Sequence, residues 1–339
     1  MGQGRHVRLI FLGTPDFAVP SLVQLQLAGH AILLTLCQPD RPAGRGKQMR
    51  MCAVKRKALT LGLPVYQPET LDTRVSERIT LLNPDVAVVV AYGLILPRQF
   101  LEIPRWGCVN LHASALPRYR GASPIAHAIL KGEKMTGVTT VLIDEGIDTG
   151  QILLQSESPI GEEETTGEVA ARLAILGADL LVETLRKMEQ GTLRPRVQQV
   201  EYETYAPKIH PESGQIRWNQ DARTIARRVR ALNPRPGAFT MHRGRQVKIW
   251  HATVPSHAGV TNLPPGSILE EPKLLRVACG DGSCLEVREV QLEGRRRVSG
   301  EEAMRGRWFA PGERFDETTK DYPAREGSQG NRLPNPPEP

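Results

Sequence analysis

The chain has 339 residues, of which 40% are hydrophobic and 24% charged, and this length favours two globular domains over a single core. Its start lacks the apolar segment of a signal peptide, and no apolar run is long enough to span a membrane. The five cysteines include no CxxC pair, which favours reduced thiols over a disulfide framework. We therefore predict a cytoplasmic protein without membrane association. The formal net charge of +7 is a weak indication of an anionic partner.

The first part of the chain alternates short apolar runs with helical patterns. The apolar runs predict strands at 7–12, 31–37, 65–67, 85–90, 109–112 and 138–143, with helices at 53–61, 75–82, 97–101 and 123–131 between them. Residues 151–154 are expected to return as a further strand, and 164–190 form the longest helical pattern. This order predicts an α/β domain over residues 1–190, built on a doubly wound, mostly parallel sheet.

The rest of the chain has a different pattern. A polar connector is predicted at 191–207, followed by a domain over 208–315 with one helix at 220–232. Strand-like runs follow at 238–241, 246–253, 267–269, 274–279 and 283–291, separated by turn signals, and they predict a small β-barrel. The segment 316–339 is polar and rich in Pro and Gly, so we predict a disordered tail.

Three polar side chains at predicted strand ends form the candidate reaction centre. Asn110 and His112 are two residues apart, so they point to the same face of a strand, and Asp148 follows another apolar run. In open parallel sheets, ligands bind beyond the carboxyl ends of the strands. Asn110 can donate to a developing oxyanion, and so can protonated His112, while Asp148 can orient the imidazole. The set suits direct acyl transfer through a tetrahedral intermediate.

Other kinds of site fit less well. The turn after the first strand is not GxGxxG, and Pro15 removes a backbone donor that a dinucleotide loop would use. No Ser or Cys carries a nucleophile-elbow signature, and one His with scattered carboxylates does not make a metal ligand set. The alternative, that Asn110 and His112 are only satisfied polar residues near a turn, is outweighed by their combination with a Pro-bearing loop and Asp148.

Several motifs occur in an order that resembles one family. They are Gly13-Thr-Pro-Asp-Phe-Ala, Gln38-Pro-Asp-Arg-Pro-Ala-Gly-Arg-Gly-Lys47, Val90-Ala-Tyr-Gly-Leu-Ile-Leu-Pro97, Asn110-Leu-His112-Ala-Ser114-Ala-Leu-Pro117, Asp144-Glu-Gly-Ile-Asp148-Thr-Gly150 and Asn233-Pro-Arg-Pro-Gly-Ala-Phe239. Over residues 6–312 the chain resembles the formyltransferases that use 10-formyltetrahydrofolate.

The resemblance carries specific expectations. It implies a Rossmann-like catalytic domain, an OB-like barrel, 10-formyltetrahydrofolate as co-substrate and no metal, with Asn110, His112 and Asp148 as the catalytic residues. The folate pocket is expected to include Tyr92, Gly93, Leu94, Ile95, Ser114, Ala115, Leu116, Pro117 and Asp144.

Two basic stretches bear on the second substrate. The stretch 41–57 has no acidic residue and is expected to form a flexible loop, and the stretch 219–250 has a single acid. Either can be read as solvated surface charge, but the resemblance implies phosphate contacts with initiator methionyl-tRNA. The residues expected to contact tRNA are Arg41, Arg45, Lys47, Arg50, Arg227, Arg228, Arg230, Arg243 and Arg245.

Two rival functions stay open on the sequence. A formyltransferase that acts on an amino sugar or a glycinamide nucleotide would share the catalytic residues but need neither basic stretch. A non-catalytic RNA-binding protein would need the basic stretches but not the three catalytic residues together. The sequence shows no interface signature, so a monomer is expected.

Overall fold

The computed structural model describes residues 6–43, 48–255, 261–271 and 273–316. The chain divides into two compact units between Ala206 and Pro207. The tail predicted to be disordered lies outside the described residues from position 317 onward, and so do Arg45 and Lys47.

The first unit is built on a mostly parallel sheet of seven strands within the described residues. Its strands and a separate hairpin, in chain order, are β1 (Arg8–Gly13), β2 (Ala31–Leu36), β3 (Arg41–Ala43), β4 (Gln48–Arg50), β5 (Val65–Tyr66), β6 (Val86–Val90), β7 (Cys108–His112), β8 (Met135–Leu142) and β9 (Ile152–Pro159). The order in the sheet is β5-β2-β1-β6-β7-β8-β9, with β8 and β9 antiparallel to their neighbours. The predicted doubly wound sheet is thereby confirmed.

Helices cover the sheet because its central strands are apolar on both faces. The helices are α1 (Val19–Leu27), α2 (Ala53–Thr60), α3 (Thr73–Leu82), α4 (Arg98–Leu101), α5 (Pro124–Lys131) and α6 (Thr166–Glu189). Every residue of β6 is buried, as expected for a strand covered on both sides. The longest helix, α6, begins with a capping box in which Thr165 and Glu168 satisfy each other's backbone N–H groups.

The stretch 41–57 differs from the flexible loop that was expected. Its two arms pair as the antiparallel hairpin β3–β4, in which Arg41 lies opposite Arg50, and the rest enters α2. The expected flexibility rested on Gly44 and Gly46, which lie outside the described residues, so that part of the expectation stays a prediction.

The second unit is a curled antiparallel sheet with two helices in its described part, in agreement with the predicted barrel type. Its elements are α7 (Ala222–Ala231), β10 (Ala238–His242), β11 (Arg245–Thr253), β12 (Arg276–Ala278), β13 (Cys284–Leu292), β14 (Val298–Ser299) and α8 (Gly300–Arg305). The predicted strand at 267–269 is wrong, because that segment makes only isolated bridges, to Arg314 and Val277. The short elements β14 and α8 were not predicted.

The segment 191–207, predicted as a linker, contains the boundary, but its residues up to Ala206 belong to the first unit. Arg196 pairs with Ile152 of β9, and Tyr205 pairs with Arg120. These backbone bonds fix most of the segment against the rest of the first unit, so it is not a free connector.

Candidate active site

The carboxyl ends of three parallel strands are tied together at one edge of the sheet. The hydroxyl of Thr14, after β1, donates to the carbonyl of Tyr92, after β6, at 3.0 Å. The backbone N–H of Gln38, after β2, donates to the same hydroxyl at 3.3 Å. This is the edge at which an open α/β sheet binds its ligands.

Asn110, His112 and Asp148 meet at β7, as the sequence predicted. Asn110 Nδ2 donates to Asp148 Oδ1 at 3.2 Å, and His112 Nδ1 lies 3.4 Å from Asp148 Oδ2. Asn110 pairs with Val141 and His112 with Thr139 on the antiparallel neighbour β8, which fixes the two side chains on one face of the strand. Asp148 reaches them from the turn that follows β8.

The His112 ring is engaged at both nitrogens. It is 5% exposed, and Nε2 lies 2.9 Å from the carbonyl oxygen of Tyr119. Since a carbonyl oxygen only accepts, Nε2 carries the hydrogen, while Nδ1 faces the Asp148 carboxylate. A protonated ring therefore has an acceptor for each of its N–H groups. The sequence led us to expect that His112 donates a hydrogen bond directly to an oxyanion. For this, Nε2 would have to give up its hydrogen bond to the Tyr119 carbonyl.

Asn110 is the better-placed donor in this arrangement. Its amide nitrogen carries two hydrogens, and the bond to Asp148 uses one of them. The second can be donated to an oxygen on which negative charge develops. The site therefore combines a fixed amide donor with a buried imidazole and a carboxylate that orients both.

Asp148 is held in an uncommon backbone conformation. Its φ is +53°, in the left-handed region that non-glycine residues rarely occupy. Its Oδ2 accepts the backbone N–H of Gly121 at 2.9 Å, and its carbonyl oxygen accepts Gln198 Nε2 at 2.8 Å. Such strain persists where surrounding contacts fix the backbone, and it is often found at functional sites.

The residues expected to line a folate pocket fall into two groups, and the first forms buried framework. Tyr92 is buried, which raises the pKa of its hydroxyl, and Leu116 packs against Val141 and Ile152. The buried Ser114 hydroxyl donates to the carbonyl of Arg118 at 2.6 Å.

The second group is accessible to a ligand. Ile95 is 92% exposed and Gly93 is exposed beside it. Partial exposure is found at Leu94, Ala115 and Pro117. Asp144 is exposed but accepts from Gly146 N at 3.1 Å and Thr149 Oγ1 at 2.6 Å, so its carboxylate closes the turn that leads to Asp148.

The residues expected to contact tRNA differ in accessibility. Arg41 and Arg50 are exposed on the hairpin of the first unit. In the second unit, Arg243 is 71% exposed at its side chain while paired with Glu313, and Arg245 is exposed while donating to the carbonyl of Glu293 at 2.7 Å.

Three arginines of α7 are only partly exposed: Arg227, Arg228 and Arg230. The Arg228 side chain donates to the carbonyl of Ser213 at 2.8 Å, and burial lowers the pKa of its guanidinium. Arg228 is therefore engaged within the second unit, and its expected contact with RNA stays a prediction.

Sequence reasoning missed the residues that hold Asn110, His112 and Asp148 in place. Tyr119 and Gly121 act through backbone atoms, which residue types do not reveal. Gln198 lies 50 positions beyond Asp148 in the chain, in the segment taken for a linker. The one available signal in the sequence is the run Arg118-Tyr-Arg-Gly121, which directly follows the loop that ends at Pro117.

Among the residues that the structure describes, no group of three or more His, Cys, Asp and Glu side chains is arranged to hold a metal ion. Within those same ranges, every helix is too short or too polar to cross a membrane.

Comparison with known proteins covers both units. Residues 7–185 match the family "Formyl transferase", and residues 208–307 match "Formyl transferase, C-terminal domain". Methionyl-tRNA formyltransferase of Pelotomaculum thermopropionicum is 46% identical over 302 residues, which cover 88% of this chain and 96% of that protein. The enzyme of the same name from Methylococcus capsulatus is 46% identical over 299 residues, covering 88% and 96%.

Solved structures share the fold at low sequence identity. An N-formyltransferase from Helicobacter canadensis, in complex with folinic acid and dTDP-3-aminofucose, has a TM-score of 0.63 at 20% identity and covers 83% of this chain and 98% of its own. HypX from Aquifex aeolicus, in complex with tetrahydrofolic acid, has a TM-score of 0.62 at 17% identity and covers 88% and 46%. The family matches over both units, with relatives 46% identical over 88% of the chain, establish that the chain belongs to the formyltransferase family.

Proposed function

We propose that this chain transfers the formyl group of 10-formyltetrahydrofolate to the α-amino group of initiator methionyl-tRNA. The observation that carries the proposal is the convergence of Asn110, His112 and Asp148 within 3.2–3.4 Å at the ligand-binding edge of the sheet. The relatives that match most of the chain carry the name of this activity. Two fold neighbours have folate compounds bound, which supports a folate as the formyl donor.

The side chains supply what acyl transfer to an amine requires. Negative charge develops on the formyl oxygen as the amine attacks, and a preorganised donor at that point contributes about 3 kcal/mol of stabilisation. Asn110 is that donor in our proposal. Asp148 fixes the amide and faces the imidazole of His112, so it orients both polar groups. The exposed Gly93 and Ile95 offer the folate a surface beside these groups.

The basic stretches are proposed to bind the tRNA. Arg41 and Arg50 on the hairpin, with Arg243 and Arg245 in the second unit, present exposed cations that can neutralise phosphates. Arg45 and Lys47 belong to the same hairpin sequence and are included in the proposal. Since one chain supplies all three catalytic side chains, we expect an active monomer, in the cytoplasm where initiator tRNA is used.

A substrate comparison tests the proposed function. Purified protein and 10-formyltetrahydrofolate are incubated with charged initiator tRNA, with a nucleotide-linked amino sugar, or with a glycinamide nucleotide. We expect formylation of the methionyl-tRNA alone. Formylation of only the small amines would support an enzyme of the sugar or nucleotide class, and RNA binding without formylation would support a non-catalytic protein.

The base of the basic hairpin is anchored by Lys55. Its Nζ lies 2.6 Å from Asp40 Oδ2 and 2.6 Å from Gln67 Oε1, and Gln67 Nε2 donates to Asp40 Oδ1 at 2.8 Å. The hydrogen bond from Lys55, with that from Gln67, lowers the pKa of the Asp40 carboxyl. Asp40 immediately precedes β3, so this cluster fixes the point at which the hairpin leaves the sheet.

Replacing Lys55 with methionine is expected to raise the KM for methionyl-tRNA about fivefold, because loss of preorganisation on the order of 1 kcal/mol weakens binding by that factor. The KM for 10-formyltetrahydrofolate should be unchanged. Steady-state kinetics with each substrate varied in turn measure both values. Lys131→Met, at an exposed lysine on α5, is the control. An unchanged KM for tRNA in Lys55→Met would contradict the anchoring role.

A further inference from the structure

A glutamine from the segment before the unit boundary clamps the turn that carries Asp148. Gln198 is 5% exposed, and its Nε2 donates to the carbonyl of Asp148 at 2.8 Å and to that of Gly150 at 2.7 Å. Both hydrogens of the amide group are therefore used on the backbone of one turn. One of these two bonds is made to Asp148 itself, whose backbone is in the left-handed region.

The orientation of this amide is fixed from its other side. Gln198 Oε1 accepts from Arg120 Nε at 3.1 Å and from Arg120 Nη2 at 2.8 Å. Arg120 is 4% exposed, and its remaining terminal nitrogen pairs with Glu203. Because a guanidinium can only donate, it holds the amide oxygen toward itself and the amide nitrogen toward the turn.

The same segment also holds the backbone groups that touch the catalytic side chains. Thr204 Oγ1 accepts the N–H of Tyr119 at 2.8 Å, and the carbonyl of Tyr119 is the partner of His112 Nε2. The carbonyl of Arg120 accepts the N–H of Ala206 at 2.7 Å, next to the Gly121 N–H that binds Asp148.

These contacts have an energetic reason. Holding a non-glycine residue such as Asp148 at positive φ costs on the order of 1 kcal/mol or more of conformational free energy. Without hydrogen bonds that offset this cost, the turn would change to a more favourable backbone conformation. Relaxation would move the carboxylate away from Asn110 and His112. A displacement of about 1 Å in a catalytic group lowers turnover by roughly a hundredfold when transfer depends on alignment.

We propose that Gln198, oriented by Arg120, is a positioning residue that sets the placement of the Asp148 carboxylate. The proposal rests on the proposed formyl transfer, in which Asp148 orients Asn110 and His112. Gln198 touches neither the reacting atoms nor the two substrates in this account, so its effect falls on turnover and not on substrate affinity.

Two substitutions in the full chain test this role. Gln198→Met removes all four hydrogen bonds at nearly constant volume, whereas Gln198→Glu keeps the acceptor for Arg120 and removes only the two donors to the turn. For both variants we expect kcat for methionyl-tRNA formylation to fall about 10- to 100-fold, with both KM values within about twofold of wild type. Gln190→Met is the matched control, since Gln190 also accepts from an arginine, Arg186, but on the exposed surface of α6.

Binding of tetrahydrofolate, measured by calorimetry, separates positioning from misfolding. An affinity within about twofold of wild type, together with the loss of kcat, supports the proposal. The proposal is overturned by unchanged kcat in either variant, or by a loss of tetrahydrofolate affinity as large as the loss of kcat. A wild-type chain that does not formylate methionyl-tRNA would instead refute the proposed function, so the two failures are distinguishable.

Discussion

Substitution of His112 by alanine is expected to lower kcat for formyl transfer by about a hundredfold or more, the range found when an oxyanion-stabilising group is removed. The ring lies between the Tyr119 carbonyl and the Asp148 carboxylate, with one nitrogen toward each. Its loss removes the imidazole that faces Asp148 and leaves the Asp148 carboxylate without one of its partners. Single-turnover formylation with both substrates saturating measures the effect.

His210→Ala is the control for that experiment, since His210 is exposed in the second unit. It should retain wild-type turnover. Tetrahydrofolate binding by His112→Ala should persist, because the ring is only 5% exposed. Near-normal turnover in His112→Ala would refute the catalytic assignment.

Substitution of Glu203 by alanine is expected to destabilise the first unit by about 3 kcal/mol. Glu203 pairs with Arg120, whose side chain is 4% exposed, so the variant leaves a buried guanidinium without its carboxylate. An uncompensated buried charge costs far more than the pair itself contributes. Urea unfolding, followed by amide hydrogen exchange of peptides that contain Arg120 and Gly121, measures the change within the first unit.

Glu201→Ala provides the comparison, because Glu201 is exposed two residues earlier in the same segment. A surface substitution of this kind should change the free energy of unfolding by less than about 0.5 kcal/mol. Equal stability of the two variants would show that the Arg120–Glu203 pair does not hold the segment in place.

The sequence was informative where a local pattern determines the structure. The β-branched run of β6 predicts a strand buried on both faces, and the apolar stripe from Val169 to Leu185 predicts α6. The two-residue spacing of Asn110 and His112 placed both on one face of β7. Asp148 was added on the expectation that the carboxyl ends of neighbouring strands meet at one edge. Because β8 is antiparallel to β7, Asp148 instead reaches the site through the turn that follows β8.

The sequence was uninformative where long-range backbone bonds decide the outcome. The partner of His112 is a carbonyl of Tyr119, and the clamp on Asp148 comes from Gln198, so neither is marked by residue type or spacing. The segment 191–206 is polar and rich in turn formers, which predicts a linker, yet its bonds to β9 and Arg120 fix it to the first unit. The short β14 and α8 span too few residues for periodicity to register.

The proposed catalytic residues bear on the reaction, whereas the basic surfaces bear on which amine is the substrate. In the proposed mechanism, Asn110, His112 and Asp148 account for formyl transfer to an amine of any kind. The anchored hairpin and the exposed arginines of the second unit are what argue for an amine attached to tRNA. Support for the second substrate therefore comes from these surfaces and from the activity for which the relatives are named.

The central claim is tested most directly by following a radiolabelled formyl group from 10-formyltetrahydrofolate in the presence of charged initiator tRNA and wild-type protein. The account predicts that the label appears on the tRNA and is released by mild base as N-formylmethionine, with uncharged tRNA receiving none. Label that stays on the folate at saturating methionyl-tRNA, under conditions in which the chain binds both substrates, would contradict it.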